Sequence, residues 1–297
     1  MIPLRLAAIQ FESKLGRQAG NMRRAERAIR EAAGAGAQLV CLPESILTGG
    51  DILEVANVAA IIPGSETDQI ASLSSELRVY IVAGLLERGN DGCYSTSILI
   101  GPSEGLIGTY RRVHCHELER RYLSCGEEFP MFDLAIGRIG LLQGYDLNFP
   151  EATRAYFSQN VDIIVCSALI PSTYAHVANM RIPVRAMDSE CIIVFASGVG
   201  TNLYAGFSYM GRSQIVANPL FLDAERFDFM DGEERMAMLD DGEGTIYADV
   251  DIERQRRYYL GASLRPDLRS AAYATQPLQG MTQQGSMNLM ATSPNEG

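Results

Sequence analysis

The chain is 297 residues long, with 47% apolar and 21% charged residues and a formal net charge of −11. That composition excludes a largely disordered chain, and the length sits near the upper limit of one hydrophobic core. The acidic balance repels phosphate backbones and anionic membranes, which excludes a nucleic-acid binder and leaves no membrane partner expected.

The cations are almost all arginine: Lys14 is the sole lysine. The six cysteines, Cys41, Cys93, Cys115, Cys125, Cys166 and Cys191, form no C-x-x-C pair and have no histidines at zinc spacing, so no metal is expected. Cys41, Cys166 and Cys191 lie in apolar runs and read as small buried hydrophobes. The N-terminal segment does not have the pattern of a signal peptide, and no run reaches the length of a membrane span. A reduced, cytoplasmic setting is expected.

Strand-like runs alternate with amphipathic stretches, as in α/β proteins. Leu4 to Phe11 predicts a strand, and Asn21 to Ala33 a helix ended by Gly34. Gln38 to Glu44 predicts a strand finishing in a carboxylate, followed by a helix from Thr67 to Leu77. Tyr80 to Leu86, Tyr94 to Ile100 and Leu106 to Val113 predict three successive strands separated by turn residues. Gly140 to Asp146 predicts a strand running into a turn, and Pro150 to Gln159 a helix with proline where its missing N–H costs nothing. Strands are expected over Val161–Ser167, Cys191–Ser197, Arg212–Ala217 and Gly244–Asp251, with a helix near Val177–Asp188. Tyr258 to Arg269 reads as irregular, and a Gln-, Ser-, Met- and Gly-rich tail follows from Ser270. The expected organisation is one domain over 1–269 and a flexible or partner-contacting tail over 270–297.

Three segments carry a resemblance: Leu42-Pro43-Glu44; Tyr110-Arg111-Arg112-Val113-His114 with Glu119 and Gly126; and Gly140-Leu-Leu-Gln-Gly-Tyr-Asp146 continuing through Asn148 to Glu151. Arg185-Ala186, Gly211-Arg-Ser213 and Leu264-Arg265-Pro266 add to it. In order and spacing they resemble the nitrilase, or carbon–nitrogen hydrolase, superfamily over roughly residues 4 to 269. The resemblance implies a four-layer α-β-β-α sandwich. It also implies a Glu-Lys-Cys site in which the thiolate attacks an amide or nitrile carbon, the glutamate moves protons and the lysine holds the developing negative charge.

Matched residue by residue, Glu44 takes the family glutamate position and Glu119 a second carboxylate position. Arg112 stands at the lysine position and Gly144 at the cysteine position, and a glycine has no nucleophile. Two readings follow. In the first, the chain is a silent regulatory or structural subunit, or a binder of a small amide or carboxylate, with Tyr145 and Asp146 as binding residues. It would work as a homodimer or oligomer, or as a heteromer with an active relative. In the second, it is an active C–N hydrolase using water activated by Glu44, or a displaced thiol at Cys115 or Cys125. No cofactor is implied by either.

Bland readings stand beside these. Arg112 between Glu44 and Glu119 would form an ion-pair cluster that holds the pocket together. Gly144 would suit a sharp turn requiring positive φ, and Asp146 would brace the turn before Pro150. His114 and His116 would be local hydrogen-bonding residues. If the strand runs on past Arg112, the odd offset of Cys115 turns it to the opposite face.

Overall fold

The computed structural model describes residues 3–202, 206–218, 234–269 and 271–272. Its strands, numbered in chain order, form two six-stranded sheets among the described residues. The first runs β14 (Gly244–Val250), β1 (Leu4–Gln10), β2 (Leu39–Cys41), β3 (Tyr80–Arg88), β4 (Cys93–Gly101), β5 (Gly105–Arg111). The second runs β13 (Arg235–Met238), β12 (Gln214–Val216), β9 (Ile192–Ser197), β8 (Ile163–Ala168), β7 (Gly137–Gln143), β6 (Met131–Leu134). A two-residue pair, β10 (Thr201–Asn202) and β11 (Phe207–Ser208), stands apart.

Each sheet has a parallel centre and antiparallel flanks. β1, β2 and β3 are parallel, as are β7, β8 and β9, while the outer neighbours of both trios are antiparallel. The sequence shows why: the parallel strands are apolar on both faces, as strands covered on both sides must be. Along β1, Leu4, Leu6 and Ala8 face the second sheet and join its Ile139, Leu141, Val165 and Val194 in one core. Their alternates Ala7 and Ile9 pack on the other side with Ala25 and Ile29 of α1 (Gln18–Gly34) and with Ile70 and Leu73 of α3 (Ser65–Leu77). Ala152 and Tyr156 of α4 (Pro150–Ser158) and Ile182 and Ala186 of α5 (Ala175–Ser189) join the core of the second sheet. The layers are therefore α-β-β-α, as expected. A one-turn helix, α2 (Val55–Val58), lies between β2 and α3 in the chain.

The chain order of the main elements matches the expected one, but α2, β10 and β11 were not expected, β2 ends at Cys41 short of Glu44, and further differences follow. α1 begins at Gln18, and Asn21 lies inside it, where its buried amide donates to Lys14 O and Leu47 O (both 2.8 Å). The segment expected to be irregular from Tyr258 is helical as far as Ala262, as part of α6 (Ile252–Ala262). This helix is fastened by polar contacts: Gln255 Nε2 donates to Asp162 O (3.0 Å), and Arg256 pairs with the Asp162 carboxylate (2.6 Å). Ile252, Tyr258 and Tyr259 also pack against the core, a sparse apolar set among charged residues. The short strands β6 and β13 were also not anticipated.

The residues divide into two units, one ending at Gly261 and one beginning at Ala262. In the second, Arg265–Asp267 forms a single 3-10 turn. The tail expected from Ser270 lies outside the described residues, apart from Ala271 and Ala272. No helix among the described residues is long and apolar enough to cross a membrane.

Candidate active site

The carboxyl ends of the parallel strands in both sheets open toward the same place, the usual site of ligand binding in parallel sheets. Glu44 arrives there just past β2, Arg112 just past β5, and Gly144 just past β7. Glu44 is held by its backbone: Leu42 N donates to Val82 O (2.8 Å), Gly84 N to Pro43 O and Ile46 N to Gly84 O (both 3.0 Å). Gly84 is required for this approach, because a Cβ there would lie 2.5 Å from Glu44 Cα. Ser45 adopts a left-handed conformation (φ 54°), which turns the chain sharply after the carboxylate.

Glu44 is 7% exposed and Arg112 3%. Arg112 Nη1 donates to Glu44 Oε1 at 2.9 Å, and Nη2 lies 2.8 Å from Glu119 Oε2. The second contact is an ion pair without hydrogen-bond alignment, and Arg112 Nε also has no hydrogen-bond partner among the described residues. Glu119 begins a 3-10 turn, where His116 N donates to its Oε2 (2.9 Å). One cation thus bridges two carboxylates, so the cluster carries a net negative charge when all three groups are ionised.

Burial raises the pKa of Glu44 from its ordinary value; the charge of Arg112 opposes this, while Glu119 adds to it. Burial also works against the charge on Arg112, but Glu44 and Glu119 outweigh it and raise the guanidinium pKa further. Arg112 is accordingly a fixed cation that cannot exchange protons, whereas Glu44 is poised to hold one.

Two residues missed from the sequence complete the setting of Glu44. Ser95 Oγ, on β4, donates to Glu44 Oε1 (2.8 Å). Gln143, the last residue of β7, is fully buried and best satisfied with its amide nitrogen on Ser95 Oγ (2.6 Å) and its oxygen facing Thr96 N and Ser97 N. This Gln143–Ser95–Glu44 chain crosses from one sheet to the other. Only the strand pairing reveals it, since the three residues are far apart in sequence.

Asp146 requires a correction. It was expected among the binding residues, yet it is completely buried and its oxygens are committed to the protein. Tyr110 O–H donates to Oδ2 (2.7 Å), Gln143 N to Oδ2 (3.0 Å) and His114 N to Oδ1 (3.1 Å), with His114 Nδ1 2.8 Å from Oδ1. Asp146 braces the turn that carries Gly144. His114 stacks on Phe149 (3.8 Å between ring centres) and is a local hydrogen-bonding residue, as expected. Tyr145 is half-buried and sits edge-on to His116 and Phe149.

Gly144 is also corrected on one point: it is not among the glycines with positive φ, so its turn does not demand glycine. Space is the constraint. A Cβ at Gly144 would meet Ile170 Cγ1 at 3.0 Å, Ala168 Cβ at 3.1 Å and Ile170 Cδ1 at 3.2 Å. β5 stops at Arg111, so strand alternation does not reach Cys115, whose buried thiol instead donates to Ser124 O (3.6 Å). Burial pushes that thiol up to about 12, with Arg112 offsetting only part. Cys125 is exposed, and Cys41, Cys166 and Cys191 are buried as expected.

A four-layer α-β-β-α sandwich with a buried carboxylate–cation–carboxylate cluster between the strand ends defines a class of C–N hydrolase folds. The carbon-nitrogen hydrolase family profile matches residues 5–259, and the chain belongs to that family. A protein named nitrilase from Pyrococcus abyssi is 33% identical over 221 residues, covering 73% of this chain and 82% of its own. The omega-amidase NIT2 of Homo sapiens is 27% identical over 288 residues, covering 93% and 99%. Among solved structures, a CN-hydrolase superfamily protein from Xanthomonas campestris superposes with a TM-score of 0.79 at 20% identity, over 90% of this chain and 98% of that one. An amidase from Nesterenkonia sp. superposes with a TM-score of 0.76 at 18% identity, over 92% and 96%.

Proposed function

We propose that this chain is a member of the family without the covalent nucleophile, acting as a regulatory or structural subunit or as a binder of small amides or carboxylates. The observation that carries the reading is the wall at Gly144. The position that the resemblance assigns to the nucleophile has no side chain, and Ile170 and Ala168 stand within 3.2 Å of where one would begin. Even a Cβ is tight there, so Ile170 and Ala168 would have to give by a few tenths of an ångström to admit any side chain.

The neighbouring residues support the same reading. Arg112 has its Nη1 on Glu44 and its Nη2 beside Glu119, the arrangement of an ion cluster that ties β2, β5 and the following loop together. Its guanidinium retains the charge needed to hold an oxyanion or carbonyl but has lost a lysine's ability to pass a proton. Cys115 is a poor substitute nucleophile toward an amide carbon, because burial pushes its thiol up to about 12 and nothing beside it among the described residues takes its proton. For a partner, α5 offers Met180, Val184 and Met187 on an exposed apolar face. Such a face suits a second copy or an active relative in a cytoplasmic oligomer.

The experiment is ammonia release from a panel of amides, ureas and nitriles, run beside Glu44→Gln. No release above the uncatalysed rate in either protein is the expected result. Turnover that disappears in Glu44→Gln overturns the proposal and points to attack by water or a displaced thiol.

A further inference from the structure

Cys115 and Cys125 bracket the loop that carries Glu119, and the ion-pair cluster does not use either. Their surroundings bring them together. The Cys115 thiol donates to the carbonyl of Ser124, the residue before Cys125, at 3.6 Å. Gly126 N, just after Cys125, donates to Arg112 O (2.8 Å), while Ser124 N donates to Cys93 O (2.7 Å). These bonds lay the 124–126 segment beside the 112–115 segment, so that Cys125 directly follows the carbonyl on which the Cys115 thiol rests. One member is buried and the other open to solvent.

We propose that Cys115 and Cys125 are a modification site: a hydroperoxide converts the pair to a disulfide that closes the Glu119 loop. The exposed Cys125 thiolate attacks the peroxide, the O–O bond breaks, and hydroxide leaves to become water on protonation. Cys125 is then a sulfenic acid. Cys115, after giving up its proton, attacks that sulfur; the S–O bond breaks and a second water departs. Two thiols lose two electrons and one peroxide becomes two waters. The disulfide removes the Cys115 donor from Ser124 O and ties both ends of the loop whose Glu119 neutralises Arg112. The effect on ligand binding rests on the reading of the site as an amide binder; formation of the bond does not.

The test treats the full-length protein with hydrogen peroxide and maps the tryptic peptides. Cleavage after Arg112, Arg120 and Arg121 places the two cysteines in separate peptides, 113–120 and 122–138. A peptide pair joined through Cys115 and Cys125, lost on reduction, is expected. At saturating peroxide its formation accelerates about tenfold per pH unit between about pH 7 and pH 9, because the attacking thiol is mostly protonated there. In Cys115→Ser, Cys125 is expected to persist as a sulfenic acid trapped by dimedone. Equal dimedone labelling of Cys125 in the wild type, or a Cys125–Cys125 link between chains in place of the internal one, overturns the proposal. Calorimetry with butyramide on reduced and oxidised protein forms a second arm. A linked peptide without butyramide binding in either state upholds the disulfide and counts only against the amide-binder reading.

Discussion

Replacing Arg112 with methionine tests whether the buried cluster holds the two halves of the site together. Arg112→Met keeps most of the side-chain volume and leaves Glu44 and Glu119 without their shared cation. Those carboxylates lie 2.9 and 2.8 Å from the guanidinium, which is 3% exposed. Breaking a buried pair by removing one partner costs about 3–5 kcal/mol. For a domain of this size that corresponds to a loss in melting temperature of roughly 6–10 °C. The loss must depend on pH, because Glu44 already has a raised pKa in the folded chain and loses its main opposing charge in the variant. A carboxyl with a raised folded pKa keeps its proton where the unfolded chain has released it, so stability falls as pH rises through that window. Above the ordinary 4.5, the variant therefore weakens relative to wild type as pH increases. Thermal melts by circular dichroism should show a larger deficit at pH 8 than at pH 5. Adding Glu44→Gln should recover part of the deficit at pH 8 and little at pH 5. The same deficit at both pH values, or a total loss under roughly 2 °C, refutes the assignment of a charged, stabilising cluster.

Gly144→Ala should destabilise by no more than about 1 kcal/mol, because Ile170 and Ala168 need give way by only a few tenths of an ångström. Chemical denaturation of the Gly144→Ala/Ile170→Ala double variant should show less than the sum of the single losses, since both changes act on one space. Asp146→Asn should cost about 1.5–3 kcal/mol, because it replaces an ionised acceptor of several buried donors, and should alter the near-ultraviolet signal of Tyr110.

Much of this architecture was legible because strand and helix periods differ, and β1, β3, β8 and β9 carry apolar runs that buried strands need. Glu44, Arg112 and Glu119 were legible through motif order, and the structure brings them within hydrogen-bonding or ion-pairing distance. Ser95 and Gln143 were not. A serine in a strand and a glutamine before a glycine have no local signature, and their roles arise when β4 and β7 face each other across the core. Sequence left Asp146 open between binding and bracing the turn, because a carboxylate beside a site position looks available until Tyr110 and His114 are seen to hold it. The α6 helix escaped because its core contacts, Ile252, Tyr258 and Tyr259, are few, and Gln255 and Arg256 anchor it through polar contacts.

The pairing of β14 with β1 has a consequence for how the chain is made. Strand β1 leaves the ribosome long before Gly244–Val250, the strand that covers its outer hydrogen-bonding edge. Until those late residues emerge, the nascent sheet presents a bare, apolar edge of the kind that recruits other chains. Assembly of the first sheet therefore waits for residues 244–250 to be synthesised. Stalled or truncated products ending before residue 244 would be the aggregation-prone species and the natural clients of a chaperone, even though every residue of the Glu44–Arg112–Glu119 cluster is already present in them.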